Sequence, residues 1–391
     1  MRRVFLSAFG DPGHAFPSIA LALKLDAMGH SVALETAEPW RSAVANSGVE
    51  FFPAPEFPAV GDRKAPLSPY AAVAAAMETT RPRIRRFAPD VVAHDILTLA
   101  PTLSAELEGV PTATVIPHVS PVTPKGVPPY GLGASTPRTP IGNLLWWGLS
   151  KPIGFGLDRG EREYNELRRR VGLGPRLGHH SALSQQLVIV ATLPQLERGE
   201  PFDERFHVTG PIFWEPECPD VDLPEGDGPL VMVAPSTAQD PDHSLLRASL
   251  EGLGGLDARI ISTWNRRPIH SPPPVPDNTK LVEWLSYSRT MPKCDVVVSQ
   301  GGHGTIARTL QAGAVPVVIP FAGDQYENAA RVDSAGLGIR LPARLMSPKT
   351  LRLAVERALD SSSMREGCQQ TAAWAAAHDG TATAAELILN L

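Results

Sequence analysis

The chain has 391 residues, of which 43% are hydrophobic and 20% are charged, a composition typical of a globular protein of about two domains. Its formal net charge of −5 provides no basic surface for nucleic acid. Its three cysteines are far apart and match no metal-binding or redox spacing, which favours a reducing compartment. No apolar run approaches the roughly 18 residues that a membrane span needs, so we expect a cytoplasmic protein without a membrane span.

The N-terminal segment predicts a strand, a tight turn, a helix and a second strand. The strands cover residues 3–9 and 31–36, the helix covers 16–28, and the turn between them is GDPG. This order opens a doubly wound parallel sheet, in which ligands bind beyond the carboxyl ends of the strands. The turn lacks the G-x-G-x-x-G fingerprint of dinucleotide-binding proteins. His14 follows the turn, at that edge of the sheet.

Asp95 occupies the same kind of position on a later strand. Residues 91–94 and 112–116 are predicted strands, and Asp95 directly follows the first of them. Strand alternation directs His94 to the opposite face. A carboxylate bonded to one imidazole nitrogen fixes the tautomer and makes the other nitrogen more basic. His14 and Asp95 are therefore a candidate general base, although His14 as a turn residue and Asp95 as a helix cap are the structural alternatives.

Residues 117–160 are rich in proline and glycine and are predicted to form a long loop, a kind of segment that is often functional. The loop contains Trp146 and Trp147. These rings could line an apolar acceptor site or pack the loop onto its domain, and a membrane-surface contact is a third interpretation. A charged helix over 159–171 and strands over 187–192 and 207–210 follow.

The acidic, proline-rich segment Phe213–Pro229 is predicted to be an interdomain linker. A second set of strands then begins at residues 230–234, 258–263 and 280–283. Ser236 and Thr237 lie in the turn after the first of these strands, where they could bond a phosphate or simply cap a helix. Trp284 ends the third strand, where its ring could stack on a nucleobase or pack in the core.

A strand, a glycine-rich turn and a helix occur between Val296 and Ala312. The turn contains Gly301, Gly302 and Gly304, and Thr305 is the predicted helix start. Free backbone N–H groups and the positive end of a helix dipole suit a diphosphate at such a turn. A further strand over 315–320 brings Asp324, Gln325 and Asn328 beside it. This pattern predicts a nucleotide-sugar pocket.

These elements together predict an α/β protein with two Rossmann-like domains facing across a cleft. The N-terminal acceptor-binding domain is expected over residues 1–212, the linker over 213–229 and the nucleotide-sugar-binding domain over 230–372. A C-terminal helix over 373–391 is expected to pack back on the N-terminal domain.

Over nearly its whole length, the chain resembles Leloir glycosyltransferases of the GT-B fold (family 1). This group includes UDP-glucuronosyltransferases and bacterial antibiotic glycosyltransferases. The resemblance implies that His14 is catalytic, with Asp95 supporting it. It also implies a donor site with Trp284 on the base, the turn on the diphosphate, and Asp324 and Gln325 on the sugar. The full set of candidate donor-binding residues is Ser236, Thr237, Trp284, Gln300, Gly301, Gly302, His303, Gly304, Thr305, Asp324, Gln325 and Asn328. The candidate acceptor-binding residues are Phe16, Trp146 and Trp147.

Two positions depart from the pattern of the family. The first residue of the turn is Gln300, where relatives have a histidine that meets the diphosphate. A glutamine amide donates a hydrogen bond but carries no charge, and His303 is a candidate to replace part of that role. Arg308 stands where plant relatives have a glutamate that binds ribose, which favours a dTDP donor over a UDP donor.

The resemblance implies an inverting, metal-independent transfer of a sugar, often a deoxysugar, to a natural product such as a polyketide. No cofactor is expected, since the nucleotide-sugar is a substrate, and a monomer or a homodimer is expected. C-glycosylation remains open beside O-glycosylation. The alternatives are a nucleotide-sugar 2-epimerase of the same fold, which the tryptophan-bearing loop disfavours, and a non-catalytic partner of another transferase. Gln300 favours the second alternative, whereas the intact pair of His14 and Asp95 argues against it.

Overall fold

The computed structural model describes residues 1–391 except 56–68, 123, 125–126, 138, 200–202, 236–239 and 268, and except the side chains of residues 69, 71, 143 and 149–151. The described residues form two parallel β-sheets, one in each half of the chain. Among these residues, no helix combines the length and the hydropathy that crossing a membrane requires.

The N-terminal sheet has seven parallel strands in the order β3-β2-β1-β4-β5-β6-β7. Its strands are β1 Arg3–Ser7, β2 Ser31–Thr36, β3 Glu50–Pro53, β4 Val91–Asp95, β5 Thr112–Ile116, β6 Leu187–Val190 and β7 Phe206–Val208. Every residue of β4, β5 and β6 is buried, as expected for parallel strands with helices on both faces. Ser7 at the end of β1 is in register with His94 near the end of β4. The two strands therefore end at the same edge of the sheet.

The helices of this domain are α1 Pro12–Ala27, α2 Pro69–Phe87, α3 Leu99–Leu107 and α4 Pro140–Arg170. Helix α1 begins earlier than predicted, because the Asp11 carboxylate accepts a hydrogen bond from the Gly13 N–H at 3.0 Å and a proline suits the first helical position. His14 therefore lies in the first turn of α1 and not in the loop before it.

The prediction of a loop over residues 117–160 is wrong for its second half, where the 31-residue helix α4 begins at Pro140. Thr139 caps the helix by accepting a hydrogen bond from the Gly142 N–H at 3.1 Å. Five glycines and an internal proline concealed the helix. The apolar residues Ile141, Leu144, Leu145 and Phe155 nevertheless recur at helical spacing, and they form one exposed face.

The C-terminal sheet has six parallel strands in the order β10-β9-β8-β11-β12-β13. Its strands are β8 Leu230–Ala234, β9 Arg259–Thr263, β10 Thr279–Val282, β11 Val296–Ser299, β12 Val315–Val318 and β13 Ile339–Arg340. The helices are α5 Ser244–Leu253, α6 Tyr287–Thr290, α7 His303–Gln311, α8 Gln325–Ser334 and α9 Pro348–Asp360. The valines of β11 are fully buried at the centre of the sheet, as their branched, uninterrupted run predicts.

The chain passes between the domains twice. Residues 209–229 contain no helix or strand and connect β7 to β8. Near the C-terminus, α10 Ser362–Ala377 packs on α7, whereas α11 Gly380–Leu389 packs on α1. The single helix predicted over 373–391 is thus divided at residues 378–379. At this point a Cβ on Gly380 would lie only 2.7 Å from the Gly210 carbonyl carbon, so the two connections touch.

The two domains also share packing. Val119, Leu193 and Leu196 of the N-terminal half belong to the same buried cluster as the apolar residues of β11, β12 and α8. Tyr130, in the segment before α4, packs against this cluster as well. The site described next lies at the carboxyl edges of the two sheets.

Candidate active site

His14 and Asp95 form a direct pair at the carboxyl edge of the N-terminal sheet. The Nδ1 atom of His14 lies 2.7 Å from the Oδ2 atom of Asp95. The other carboxylate oxygen of Asp95 accepts a hydrogen bond from the Leu97 N–H at 2.8 Å. The buried carboxylate is thereby fixed from both sides, while the His14 side chain keeps part of its surface exposed. The arrangement assigns the proton to Nδ1 and leaves Nε2 free to act as a base.

The pKa of His14 is raised above its usual value. Burial of the ring is the largest single influence and lowers the pKa, but it is outweighed by the hydrogen bond and negative charge of Asp95 and by the charges of Asp11 and Asp324. Asp324 belongs to the C-terminal domain. A carboxylate from the other half of the chain is thus among the charges that raise the pKa of His14.

His94 is fully buried and bonded to protein groups on both ring nitrogens. Its Nε2 atom lies 2.8 Å from the Thr114 hydroxyl, and its Nδ1 atom lies 3.0 Å from the Asp95 carbonyl oxygen. Burial lowers the pKa of His94 to about 4, so the ring is neutral. The contact between its Nδ1 atom and the Asp95 carbonyl oxygen helps to hold the backbone of Asp95 in place.

Two aromatic side chains beside His14, and a third that stacks on one of them, were not predicted from the sequence. The ring of Phe9 is half exposed and lies edge-on to His14, with 6.2 Å between ring centroids. The ring of His118 lies 6.1 Å from His14 on another side and stacks on Tyr130 at 5.8 Å. The Nδ1–H of His118 donates to the Val119 carbonyl oxygen at 2.8 Å. Burial lowers the pKa of His118, which disfavours a positive charge on this ring beside His14.

The glycine-rich turn has the geometry of an anion site. Gly301 has a φ of 91°, and a Cβ on it would lie 2.4 Å from Val318 Cγ1, so only glycine fits there. A Cβ on Gly302 or Gly304 would meet no atom within 4 Å, so the backbone is open to a ligand. Gly302 caps α7 without any side-chain hydrogen bond. Helix α7 begins at His303, two residues before the predicted Thr305. The Thr305 N–H donates to the Gly302 carbonyl oxygen at 3.0 Å, whereas the N–H groups of His303 and Gly304 have no backbone partner among the described residues.

His303 is buried at the start of α7. Neither of its ring nitrogens has a hydrogen-bond partner among the described residues, and the nearby Ala191 backbone does not meet hydrogen-bond geometry. Burial lowers the pKa of His303 to about 3. A neutral imidazole retains one N–H, which can donate to an oxygen, but it brings no positive charge to a diphosphate.

Gln300 is almost fully buried, and its amide donates to the Asp240 carboxylate at 3.3 Å. Asp240 also accepts hydrogen bonds from the backbone N–H groups of Ser244 and Leu245 at 2.8 and 2.9 Å. Asp240 thus joins the turn after β11 to the start of α5. A contact between Gln300 and a diphosphate stays a prediction.

The residues predicted to contact the donor sugar lie together at the start of α8. The amide of Asn328 donates to the Gly301 carbonyl oxygen and to the Asp324 carboxylate, both at 3.0 Å. The side-chain oxygen of Gln325 accepts from the N–H groups of Phe321 and Ala322 at 2.9 and 3.1 Å. Asn328 therefore ties α8 to the glycine turn, and Gln325 shapes the preceding loop. Asp324 retains an accessible carboxylate.

The other residues considered for the donor site are Ser236, Thr237, Trp284 and Arg308. Ser236 and Thr237 lie outside the described residues. Trp284 is partly buried, and the guanidinium of Arg266 lies 5.3 Å from its ring centroid. Arg308 donates to the Trp214 carbonyl oxygen at 3.0 Å and covers the ring of Phe213. Arg308 is thus held against the interdomain linker.

The candidate acceptor residues lie on two helices, Phe16 on α1 and the two tryptophans on α4. Phe16 packs edge-on against Trp40 and Trp214, each 5.0 Å away between ring centroids, so its described contacts are structural. Trp146 and Trp147 lie on α4, where Trp147 is 62% exposed. Their contact with an acceptor stays a prediction. Phe9 and Leu97, half exposed beside His14 and Asp95, are apolar residues that the sequence analysis missed.

The described residues contain no group of three or more His, Cys, Asp or Glu side chains that could hold a metal ion. The start of α7 presents the positive end of a helix dipole, which attracts anions. The pair of His14 and Asp95, the start of α7 and the Asp324 carboxylate together suit a transfer reaction with an anionic leaving group.

The chain is similar to known proteins over its whole length. Residues 247–391 match the family model described as Erythromycin biosynthesis protein CIII-like, C-terminal domain. The chain is 26% identical over 426 aligned residues to 4'-demethylrebeccamycin synthase from Lentzea aerocolonigenes, which covers 100% of this chain and 99% of the relative.

Two solved structures show the same fold over their whole lengths. The glycotransferase of kitacinnamycin superposes with a TM-score of 0.79 at 22% identity, covering 99% of this chain and 98% of that chain. Glycosyltransferase VinC in complex with dTDP gives a TM-score of 0.71 at 17% identity, covering 99% and 98%. The chain therefore has the GT-B fold and is a relative of the glycosyltransferases of antibiotic biosynthesis.

Proposed function

We propose that the chain is an inverting glycosyltransferase that moves a sugar, commonly a deoxysugar, from a nucleoside diphosphate to an apolar natural product such as a polyketide. The observation that carries the proposal is the pair of His14 and Asp95, 2.7 Å apart, on the same cleft as Asp324. The relationship to antibiotic glycosyltransferases supports the reaction class.

In the proposed reaction, Nε2 of His14 takes the proton from an acceptor nucleophile, normally a hydroxyl group. The nucleophile forms a bond to the anomeric carbon from the face opposite the diphosphate. The bond between that carbon and the diphosphate oxygen breaks, and its electron pair leaves with the diphosphate. An α-linked donor then gives a β-linked product. Asp95 holds the ring and stabilises the imidazolium that forms.

The leaving diphosphate is proposed to bind at the start of α7, where Gly302 and Gly304 leave the backbone open. Backbone N–H groups aimed at the position where negative charge develops lower the barrier without reorganising. His303 can add one N–H donor. In this scheme the helix end provides the electrostatic stabilisation, and the reaction is metal-independent.

A dTDP donor fits the described residues better than a UDP donor. Arg308, at the position of the ribose-binding glutamate of plant relatives, is held by the linker and offers no acceptor to a 2′-hydroxyl group. The structural neighbour VinC in its complex with dTDP supports the same choice. The proposed acceptor is apolar, because Phe9 and Leu97 expose 50% and 54% of their surfaces beside the base.

Neither a nucleotide-sugar 2-epimerase nor a non-catalytic partner protein is favoured by the comparisons, which are with glycosyltransferases. The His14 and Asp95 pair is also intact, whereas a non-catalytic partner does not need a base.

The proposal is tested with a panel of dTDP-sugars and UDP-sugars and a set of aromatic and macrocyclic aglycones, with product detected by mass spectrometry. His14→Ala should reduce turnover by about 10²–10⁴-fold, while calorimetry shows dTDP binding within a few-fold of the parent protein. Unchanged turnover in His14→Ala would exclude the assigned base. Donor binding without transfer or hydrolysis in the parent protein would instead support a non-catalytic partner.

A further inference from the structure

A buried arginine on α8 joins the two domains. Arg331 is 2% exposed, and its Nε–H donates to Glu327 within the same helix at 2.9 Å. Its other hydrogen bonds cross to the N-terminal domain. They reach the Glu197 carboxylate at 2.8 Å, the Leu196 carbonyl oxygen at 3.2 Å and the Ser120 carbonyl oxygen at 3.0 Å.

The partners of Arg331 are themselves connected. Glu197 accepts a hydrogen bond from the Ser120 N–H at 2.8 Å, so its carboxylate joins the segments that follow β5 and β6. A second arginine, Arg198, donates to the Ala134 carbonyl oxygen at 3.0 Å and to the Ser334 hydroxyl at 3.1 Å, and it lies 3.7 Å from Glu327. Two arginines and two glutamates thus balance their charges across the domain boundary.

A buried charge network of this kind adds little to the stability of the fold, but it favours one relative arrangement of the groups that form it. Removing charged groups from water costs several kcal/mol per ion, and their attraction repays this only when nearly every donor meets an acceptor. Arg331 meets that condition only while α8 and the segments around Ser120 and Glu197 keep their present positions. A shift between the domains would leave buried charges without partners. The network therefore disfavours other arrangements of the domains.

The residues bonded by Arg331 lie on the same elements as residues of the proposed reaction centre. Helix α8 begins beside Asp324, seven residues before Arg331. Ser120 follows His118 by two residues, and the His118 ring lies 6.1 Å from His14. One guanidinium thus holds both the helix that carries the sugar-side carboxylate and the segment that packs beside the base.

We propose that Arg331 is a positioning residue, which fixes the relative placement of the two domains and so holds Asp324 at the productive distance from His14. The effect on transfer rests on the proposed function, whereas the effect on domain placement does not. Arg331 has no role as a base or as a ligand of the substrate.

The test replaces Arg331 with methionine, which keeps much of the stem and removes the guanidinium. The matched control is Arg168→Met, because Arg168 is 3% exposed and its bonds to Glu106 and Gly174 stay within the N-terminal domain. Small-angle X-ray scattering reports domain placement, calorimetry reports dTDP binding, and steady-state assays report kcat and KM for the donor.

In Arg331→Met the radius of gyration should rise by about 1 Å from the roughly 21 Å of a compact chain of this length. The value of kcat should fall at least about tenfold, with dTDP affinity within about threefold. Arg168→Met should lower the melting temperature and leave scattering and kcat unchanged. Unchanged scattering in Arg331→Met, or equal changes in both variants, would overturn the proposal.

If Arg331→Met does not fold, Glu197→Gln decides the question, because its amide oxygen can still accept from Ser120 while the charge facing Arg331 is lost. Expansion in this variant supports the proposal, and parental scattering overturns it. If the parent protein transfers no sugar, the proposed function is wrong, but scattering still tests whether Arg331 fixes the placement of the domains. The two proposals can therefore be refuted independently of each other.

Discussion

Gly133 lies in the N-terminal half of the chain, but replacing it with alanine should displace α8 and so impair the proposed donor site in the C-terminal half. Gly133 lies in the segment before α4, has a φ of 57° and approaches the start of α8 closely. A Cβ at this position would lie 2.5 Å from the Tyr326 carbonyl oxygen and 2.6 Å from the Tyr326 Cβ atom. The Gly133 carbonyl oxygen also accepts a hydrogen bond from Arg340 at 2.6 Å, which limits how far the segment can retreat.

The expected size of the effect follows from these distances. Ordinary contact begins near 3.4 Å, so Tyr326 or Gly133 must move by about 1 Å. Asp324 and Gln325 directly precede Tyr326, and a displacement of about 1 Å in a positioned group can cost about 10²-fold in rate. The left-handed backbone adds about 1–2 kcal/mol of destabilisation for alanine. We therefore expect kcat to fall by about 10- to 100-fold and the melting temperature to fall by several degrees.

Gly131 provides the matched control, because its φ is 87° and a Cβ there would meet nothing within 4 Å. Gly131→Ala should carry a similar backbone cost without the clash. The two variants are compared by thermal melting and by steady-state kinetics with a dTDP-sugar. Equal kcat values in the two variants would refute the argument from the Tyr326 contact.

Two further predictions concern the base and the glycine turn. Because the folded pKa of His14 is raised, its basic form appears only above that pKa, so turnover should rise with pH through a pKa above 6.5. Asp95→Asn should lower kcat by about 10²–10⁴-fold and shift this rise in turnover to lower pH, because the carboxylate that raises the pKa of His14 is lost. A pH–rate profile in which the rise occurs at the same pH as in the parent protein would contradict the role of Asp95. Gln300→His should place a cation beside Asp240 and tighten dTDP binding by up to about tenfold, since charge-assisted bonds to phosphate are stronger. Calorimetry that shows unchanged affinity would place Gln300 away from the diphosphate.

The fold was predictable because parallel sheets leave a clear pattern in the sequence. The valine run of β11 and the similar runs of β4 and β8 are buried on both faces, and strands of this kind end at one shared edge. This rule predicted that His14 and Asp95 lie on the same edge of one sheet, and the strand order of the structure brings them into contact. Their separation of 81 positions in sequence did not matter, because β1 and β4 are neighbours in the sheet.

The parts that were not predicted depend on contacts that periodicity does not show. The charged helix predicted over 159–171 is the last part of α4, but the first part was missed because its glycines and Pro152 resemble loop residues, although Thr139 and Pro140 are a typical helix start. His118 and Tyr130 lie in a segment without regular structure, so no pattern placed His118 beside His14 or Tyr130 against His118. The hydrogen bond from Gln300 to Asp240 joins two separate turns, and sequence spacing does not indicate such pairs.

The residues of the proposed donor site differ in whether they can bring a positive charge to a diphosphate. Gln300 is uncharged, and burial lowers the pKa of His303 to about 3, so neither brings a positive charge to a diphosphate. Two nearby arginines are already engaged, Arg308 with the linker and Arg331 with Glu197 and Glu327. Among the described residues, the start of α7 is one source of positive potential. A helix end contributes only about 0.3–2 kcal/mol, and its influence falls off within one turn. A site that relies on a helix end depends on exact placement of the ligand, because backbone N–H groups cannot follow a misplaced phosphate. If the proposed donor site is correct, this dependence gives a physical reason for a buried network that fixes the domains at a desolvation cost.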